Sequence, residues 1–346
     1  MTASTLTTTA PLPGAVEKTW QQKLFGTNTF WIFLIDAILI VFFTSLSINQ
    51  TFISLGNLQN LMLDSGEGLL LGIAIAYLLG AGEFDISLGA NLILSSVIAS
   101  KLALSVASDG LGVVIVVALG SAIIAGALIG LVNGLIVTRL KVNSFIATLA
   151  MMGLVTGIAY IVSGGTDVTG LPEALQTDFG IATVGVIPVP FLVAILAWIV
   201  AVFALRYTTF GLHLLAMGSA RAAAERAGLN VRRKVITLFM LAGGLAGIAG
   251  FIDITRFGAT NIAGHTNDSL SAITAAVIGG TLLAGGVVSM VGLLGGVLLA
   301  VLLANGLVVI NVSSYYQLIV VGVILVIAVA IDQARKADGG LSRFTK

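Results

Sequence analysis

Apolar runs long enough to cross a bilayer, parted by short polar breaks, fill nearly all of this chain between residues 29 and 333. A hydrocarbon core about 30 Å thick takes about 20 residues of apolar helix, and a chain inside it must satisfy its backbone N–H and C=O groups internally. Ten such runs stand near 29–48, 66–81, 88–107, 111–137, 144–162, 188–206, 235–254, 269–284, 287–310 and 316–333. The reading is an all-α polytopic membrane protein with about ten transmembrane helices. Only 9% of the residues are charged, whereas soluble domains carry roughly 25%. The second, third and eighth runs are the weakest, because Glu67, Glu83 and Asp85 bracket short stretches and Gly279, Gly280, Gly285 and Gly286 interrupt another.

The largest polar break, Arg206 to Lys234, gathers six of the 16 basic residues (Arg206, Arg221, Arg226, Arg232, Arg233 and Lys234) against the single acid Glu225. Clustered Lys and Arg fix a loop as cytoplasmic. With the N-terminus inside, 14 of the 16 basic residues fall on cytoplasmic segments, and the outward loops carry Asp64, Glu67, Asp109, Asp167, Glu173, Asp178, Asp253 and Asp268, with Lys101 and Arg256. The organisation expected is a cytoplasmic N-terminal tail at 1–27, a transmembrane domain at 28–334 with a cytoplasmic loop at 207–234, and a cytoplasmic C-terminal tail at 335–346. The N-terminal segment, with Pro11 and Pro13, lacks the apolar core of a signal peptide.

Several chemistries lack the residues they need. There is no cysteine, hence no disulfide or thiolate site, and no GxxxxGK[ST] phosphate loop. A membrane-embedded enzyme would need clustered His, Asp or Glu, and an ion-coupled transporter a carboxylate or histidine near the midplane. Asp36 alone stands within a confident run, about 9 Å along the first helix, where the headgroup region can hydrate it. His213 and His265 read as loop residues without metal-ligand spacing.

Two stretches carry the functional expectations. Gly82-Glu83-Phe84-Asp85-Ile86-Ser87-Leu88-Gly89 puts two acids and a serine between apolar runs; by hydropathy it is a turn whose Asp85 and Ser87 suit the start of the third helix. The alanine-rich stretch between Gly218 and Gly228 reads as a short surface helix, with Arg221 and Glu225 in i,i+4 spacing and Ala222, Ala223 and Ala224 as a smooth face. Such a basic helix suits either a partner protein or anionic lipid. Glycines four apart at Gly126/Gly130/Gly134, Gly153/Gly157, Gly243/Gly247 and Gly292/Gly296 mark faces where helices approach closely. Asn91, Asn133, Thr148, Thr274 and Asn305 suit interhelical hydrogen bonds or a passing polyol.

Taken in order from about Phe52 to Lys336, these pieces resemble the ribose-type sugar permease family, the membrane subunits of bacterial ABC importers. GEFDISLG is similar to that family's GGIDLSVG, and Asn143-Ser144-Phe145-Ile146-Ala147-Thr148-Leu149 to its NxFIxTL. The stretch Ala216 to Asn230 is similar to its cytoplasmic loop, Ile273 to Thr281 to its IAAxxxGGT segment, and Asn305-Gly306-Leu307 to its NGL. The chain departs from that pattern at Glu83, where glycine is common, at Ala220 and Ser269, and at Val287 and Val288. The resemblance implies an ABC importer permease fold in the bacterial inner membrane. It implies a second permease subunit, an ATP-binding cassette partner that binds ATP and Mg, and a periplasmic substrate-binding protein. It makes Gly218, Arg221, Ala223, Glu225 and Gly228 the contact with the ATPase. Asn305 and Thr148, then Asn91 and Asp85, are the candidates for the translocation path, with no cofactor or metal in this chain. The wider superfamily leaves branched-chain amino acids or nucleosides as alternative cargo.

Overall fold

The computed structural model describes residues 28–313 and positions 316, 319, 322, 323 and 326. The tails at 1–27 and 335–346, and most of the tenth predicted run, lie outside the described residues. In chain order the helices are α1 (Asn28–Leu46), α2 (Leu55–Gly80), α3 (Leu88–Ser105), α4 (Leu111–Arg139), α5 (Ser144–Ser163), α6 (Val189–Tyr207), α7 (Thr209–Ser219), α8 (Arg221–Arg226), α9 (Val231–Phe257), α10 (Asp268–Ile278) and α11 (Met290–Val309). Among the described residues, eight of these are long and apolar enough to cross a membrane: α1 to α6, α9 and α11. A two-residue hairpin pairs Thr183–Val184 with Ile187–Pro188 ahead of α6.

Most of α2, α3 and α9 is buried, while α1, α4, α5 and α6 keep most of their surface on the outside. A helix apolar all round belongs in the core or against lipid, and both fates occur here. The tightest packing joins α4 to α9. A Cβ on Gly126 would strike the Gly243 carbonyl, one on Gly130 the Phe239 carbonyl, and one on Gly247 the Ala122 carbonyl. Bare backbones therefore touch, gaining dispersion contacts that lipid tails cannot replace. Gly153 and Gly157 on α5 meet nothing within 4 Å, so that pair faces away from the rest of the described chain.

Several expectations are corrected. The second run is not 66–81: α2 starts at Leu55, so Asp64 and Glu67 lie within it, and Asp253 and Arg256 lie within α9. Hydropathy ended the helices at these charges, but the charges are paired across the bundle and so are tolerated inside it. The eighth run is helical only over α10, 11 residues, or about 16 Å at 1.5 Å per residue. Irregular chain then continues through Gly280, Gly285 and Gly286, all at positive φ, and Gly286 N–H donates to the Gly80 carbonyl at 2.9 Å. Segment 81–87 is also irregular and largely buried. Such backbone is permitted at membrane depth only inside protein.

The surface helix is shorter than expected. α7 runs through Gly218 and stops at Ser219, and α8 spans only Arg221–Arg226 before Gly228 turns the chain at φ 88°. Gly218 is therefore no boundary; it lets α7 abut the Gly80 carbonyl, which a Cβ there would strike. Ala222 and Ala223 are exposed but Ala224 is buried, and His213 lies in α7 rather than in a loop. Asp36 is 4% exposed, with neither carboxylate oxygen accepting a hydrogen bond, so it is buried rather than hydrated.

Candidate functional site

Two polar groups lie along α2, one at its Gly80 end and one near its middle. At the Gly80 end, α8 is tied to the buried 81–87 segment. Arg221 Nη1 lies 2.7 Å from Glu83 Oε1, and its Nε is 3.9 Å from Glu225 Oε1. The Glu83 side chain is only 5% exposed and that of Arg221 48%, so a half-exposed cation meets a buried carboxylate, and removing either partner leaves the other's charge uncompensated. A cavity of about 600 Å³ opens beside the pair, lined in part by Lys141, Asn143, Glu225 and Arg232.

From Glu83 the chain runs inward against α5. Asn143 caps α5 by accepting the Phe145 amide at 3.0 Å. On the next turn, Ser144 Oγ accepts the Phe84 amide at 3.1 Å and Thr148 Oγ1 the Ile86 amide at 3.2 Å. The spacing explains the motif: residues i and i+4 of a helix sit one turn apart, matching every second amide of an extended strand. Asp85, 1% exposed, accepts from the Ser87 amide at 2.8 Å and hydroxyl at 2.6 Å, and from Asn133 Nδ2 at 3.1 Å. A buried carboxylate is tolerable when so supplied with donors.

Of the expected path residues, only Asp85 and Thr148 come together. Asn91 is fully buried and joins α3 to α4, donating to the Gly126 carbonyl at 3.1 Å and accepting from Ser95 at 3.0 Å. Asn305 exchanges two amide hydrogen bonds with Asn57, at 2.9 and 3.0 Å, pinning α11 to the start of α2. Thr274 donates to Leu270 within α10. The expected interhelical role holds for Asn91 and Asn305, while Asn133 and Thr148 tie α4 and α5 to the 81–87 segment.

The second group was not expected. It lies about 20 Å along α2 from Gly80. Glu67 of α2, Asp253 of α9 and Asp268 of α10 converge on His265, from the loop between α9 and α10. His265 Nδ1 is 2.7 Å from Asp268 Oδ2 and 3.2 Å from Glu67 Oε1; its Nε2 is 3.2 Å from Asp253 Oδ1. The Asp253 approach is off the hydrogen-bond axis, so this 0%-exposed carboxylate accepts no hydrogen bond among the described residues. Burial works against the imidazolium, yet the facing carboxylates of Asp253, Asp268 and Glu67 outweigh it and raise the His265 pKa to about 11. Beside it, Arg256 Nη1 pairs with Asp64 Oδ1 at 2.6 Å. A cavity of about 300 Å³ opens over Glu67, His265 and Asp268. A cluster of acids around a histidine, absent from the sequence as a local pattern, is thus assembled by the fold, and Glu67, His265 and Asp268 bring ligand atoms within 4.8 Å of one another.

Residues 57–329 match the family model described as "Branched-chain amino acid transport system / permease component". The chain belongs to this permease family. The permease is 34% identical over 303 residues to the ribose import permease protein RbsC of Escherichia coli K12, covering 87% of this chain and 92% of the relative. It is 35% identical over 300 residues to the L-arabinose ABC transporter permease protein AraH of Azospirillum brasilense, 86% of each chain. To the galactose/methyl galactoside import permease protein MglC of Haemophilus influenzae it is 32% identical over 340 residues, 93% of this chain and 98% of that one. No solved structure matches it significantly. The resemblance read from the motifs is thus borne out, and Glu83, a departure from those motifs, is the residue through which the permease ties its surface helix to its interior.

Proposed function

We propose that this chain is the membrane subunit of an ATP-driven importer of a monosaccharide, with an ATP-binding cassette partner docked on α8 at the cytoplasmic face. The cargo class is drawn from the relatives, whose names speak of ribose, L-arabinose, galactose and methyl galactoside. The observation that carries the coupling role is the 2.7 Å contact of Arg221 on α8 with Glu83 at the mouth of the buried 81–87 segment. A push on α8 is delivered to Glu83 and from there to backbone held by Ser144 and Thr148 of α5. ATP and Mg are bound by the partner, and the sugar is delivered by a periplasmic binding protein. The positive-inside count supports a cytoplasmic Arg221 end, with the Leu55 end of α2 on the outer side. The α5 face with Gly153 and Gly157, free of contacts among the described residues, suits a second permease subunit.

The test is copurification of the tagged permease in mild detergent. An ATP-binding cassette protein is expected with the wild type and lost with Ala223→Glu, which adds a charge to the exposed face of α8 while leaving membrane insertion unchanged. Equal recovery with both would remove α8 as the docking surface, and repeated purification of a folded permease alone would favour ion-coupled transport.

A further inference from the structure

We propose that the cavity over Glu67, His265 and Asp268 is a docking site for the polyhydroxylated cargo on its way through the permease. This rests on the sugar-importer reading above and adds to it a place and a recognition chemistry.

The cluster is short of hydrogen-bond donors. Glu67, Asp253 and Asp268 bring carboxylates, which when ionised only accept, and the His265 ring has at most two N–H groups to share among them. Arg256 also lines the cavity, with its Nη1 engaged by Asp64. Asp253, fully buried and outside the cavity lining, faces the ring's Nε2, which leaves Nδ1 alone to serve both Glu67 and Asp268 at the cavity. Buried acceptors without donors are costly, so a ligand that brings donors suits this space better than an apolar one.

A neutral polyol brings several O–H donors and no charge to strip of water. An amino acid would bring an ammonium suited to these acids but also a carboxylate that meets like charge, a conflict a neutral polyol does not face. The other walls fit the same chemistry. The Asn261 and Ser271 side chains border the cavity with groups that both donate and accept, while Phe257 and Val297 offer apolar surface to C–H faces. At about 300 Å³ the space lies at the small end of ligand pockets, suited to one monosaccharide rather than a longer chain. α2, α9, α10 and the loop before α10 all contribute, so a shift of any one changes the grip, as transient binding requires.

The experiment uses Phe257→Trp as a fluorescent reporter in the permease bound to its ATPase partner, without nucleotide, with wild-type signal subtracted. Ribose, L-arabinose, galactose, leucine and Zn²⁺ are titrated separately, and ATP-driven uptake of the same solutes is measured in parallel. A saturable change in the millimolar range is expected with the transported sugar and none with leucine. Asp268→Asn and Asn261→Leu, each added to the reporter, should weaken it at least about tenfold; retained ATPase activity reports that the complex is folded. A linear response, saturation unchanged in both variants, or a response to Zn²⁺ alone would overturn the docking site. If no sugar is imported by the wild type, the importer reading falls; if uptake is intact but the cavity gives no saturable signal, only the docking site falls.

Discussion

The Arg221–Glu83 contact makes a quantitative prediction. At 2.7 Å and an effective dielectric of about 20, the Coulomb attraction is about 6 kcal/mol. Two terms reduce it. Glu83 has lost most of its hydration, with a side chain 5% exposed, and Arg221, at 48%, remains half screened by solvent. The net coupling expected is about 1–3 kcal/mol, the upper range for residues in direct contact. The perturbations are Arg221→Ala, Glu83→Gln and the pair together. The assays are thermal unfolding of the detergent-solubilised complex and sugar transported per ATP hydrolysed in proteoliposomes. Arg221→Ala strands a buried carboxylate and should lower the transport ratio about 5- to 100-fold while ATP hydrolysis continues, since 1.4 kcal/mol corresponds to tenfold. Once the arginine is gone, removing the charge at Glu83 should cost nothing more, so the double variant should be no worse than Arg221→Ala. Strictly additive losses, or single variants with wild-type transport ratios, would refute the strut.

The α4–α9 contact predicts that Gly130→Ala, whose new methyl meets the Phe239 carbonyl, destabilises the permease by about 1–3 kcal/mol, read as a lower unfolding temperature. Gly153→Ala meets nothing within 4 Å, so the isolated chain should unfold at or slightly above the wild-type temperature through better helix propensity. An equal loss from both would show that the α4–α9 approach is not what requires glycine. The chain has no cysteine, so Ser219→Cys supplies a unique thiol; it should react with impermeant maleimide only in inside-out vesicles, and labelling of intact cells would overturn the orientation.

Much of the bundle was legible because lipid demands long apolar helices and nothing else in the chain competes with that signal. The runs that became α1, α4, α5, α6 and α9 were recovered to within a few residues at most ends. What failed were the segments whose charges are satisfied at a distance. Asp64 and Glu67 looked like the edge of a helix because the partner of Asp64, Arg256, is 192 residues away and His265 lies as far off in the chain. The same holds for Glu83, visible as a departure from a motif, but whose purpose appears only when Arg221, 138 residues later, is brought beside it. The break after Ile278 was hinted at by its glycines, yet hydropathy alone treats buried irregular chain and apolar helix alike. Asn143 to Leu149 could be matched as a motif, whereas the receipt of the 84 and 86 amides by Ser144 and Thr148 depends on how the fold sets α5 against the 81–87 segment.

The central claim, that this permease moves a sugar by mechanical coupling to a partner ATPase, is tested most directly by reconstituting it with the copurifying ATPase and binding protein in proteoliposomes and following labelled pentoses and hexoses. The account predicts accumulation of at least one sugar that requires both ATP on the ATPase side and the loaded binding protein on the other, and that collapses with Ala223→Glu. Accumulation driven by an ion gradient without ATP, or ATP-dependent uptake confined to branched-chain amino acids, would contradict it.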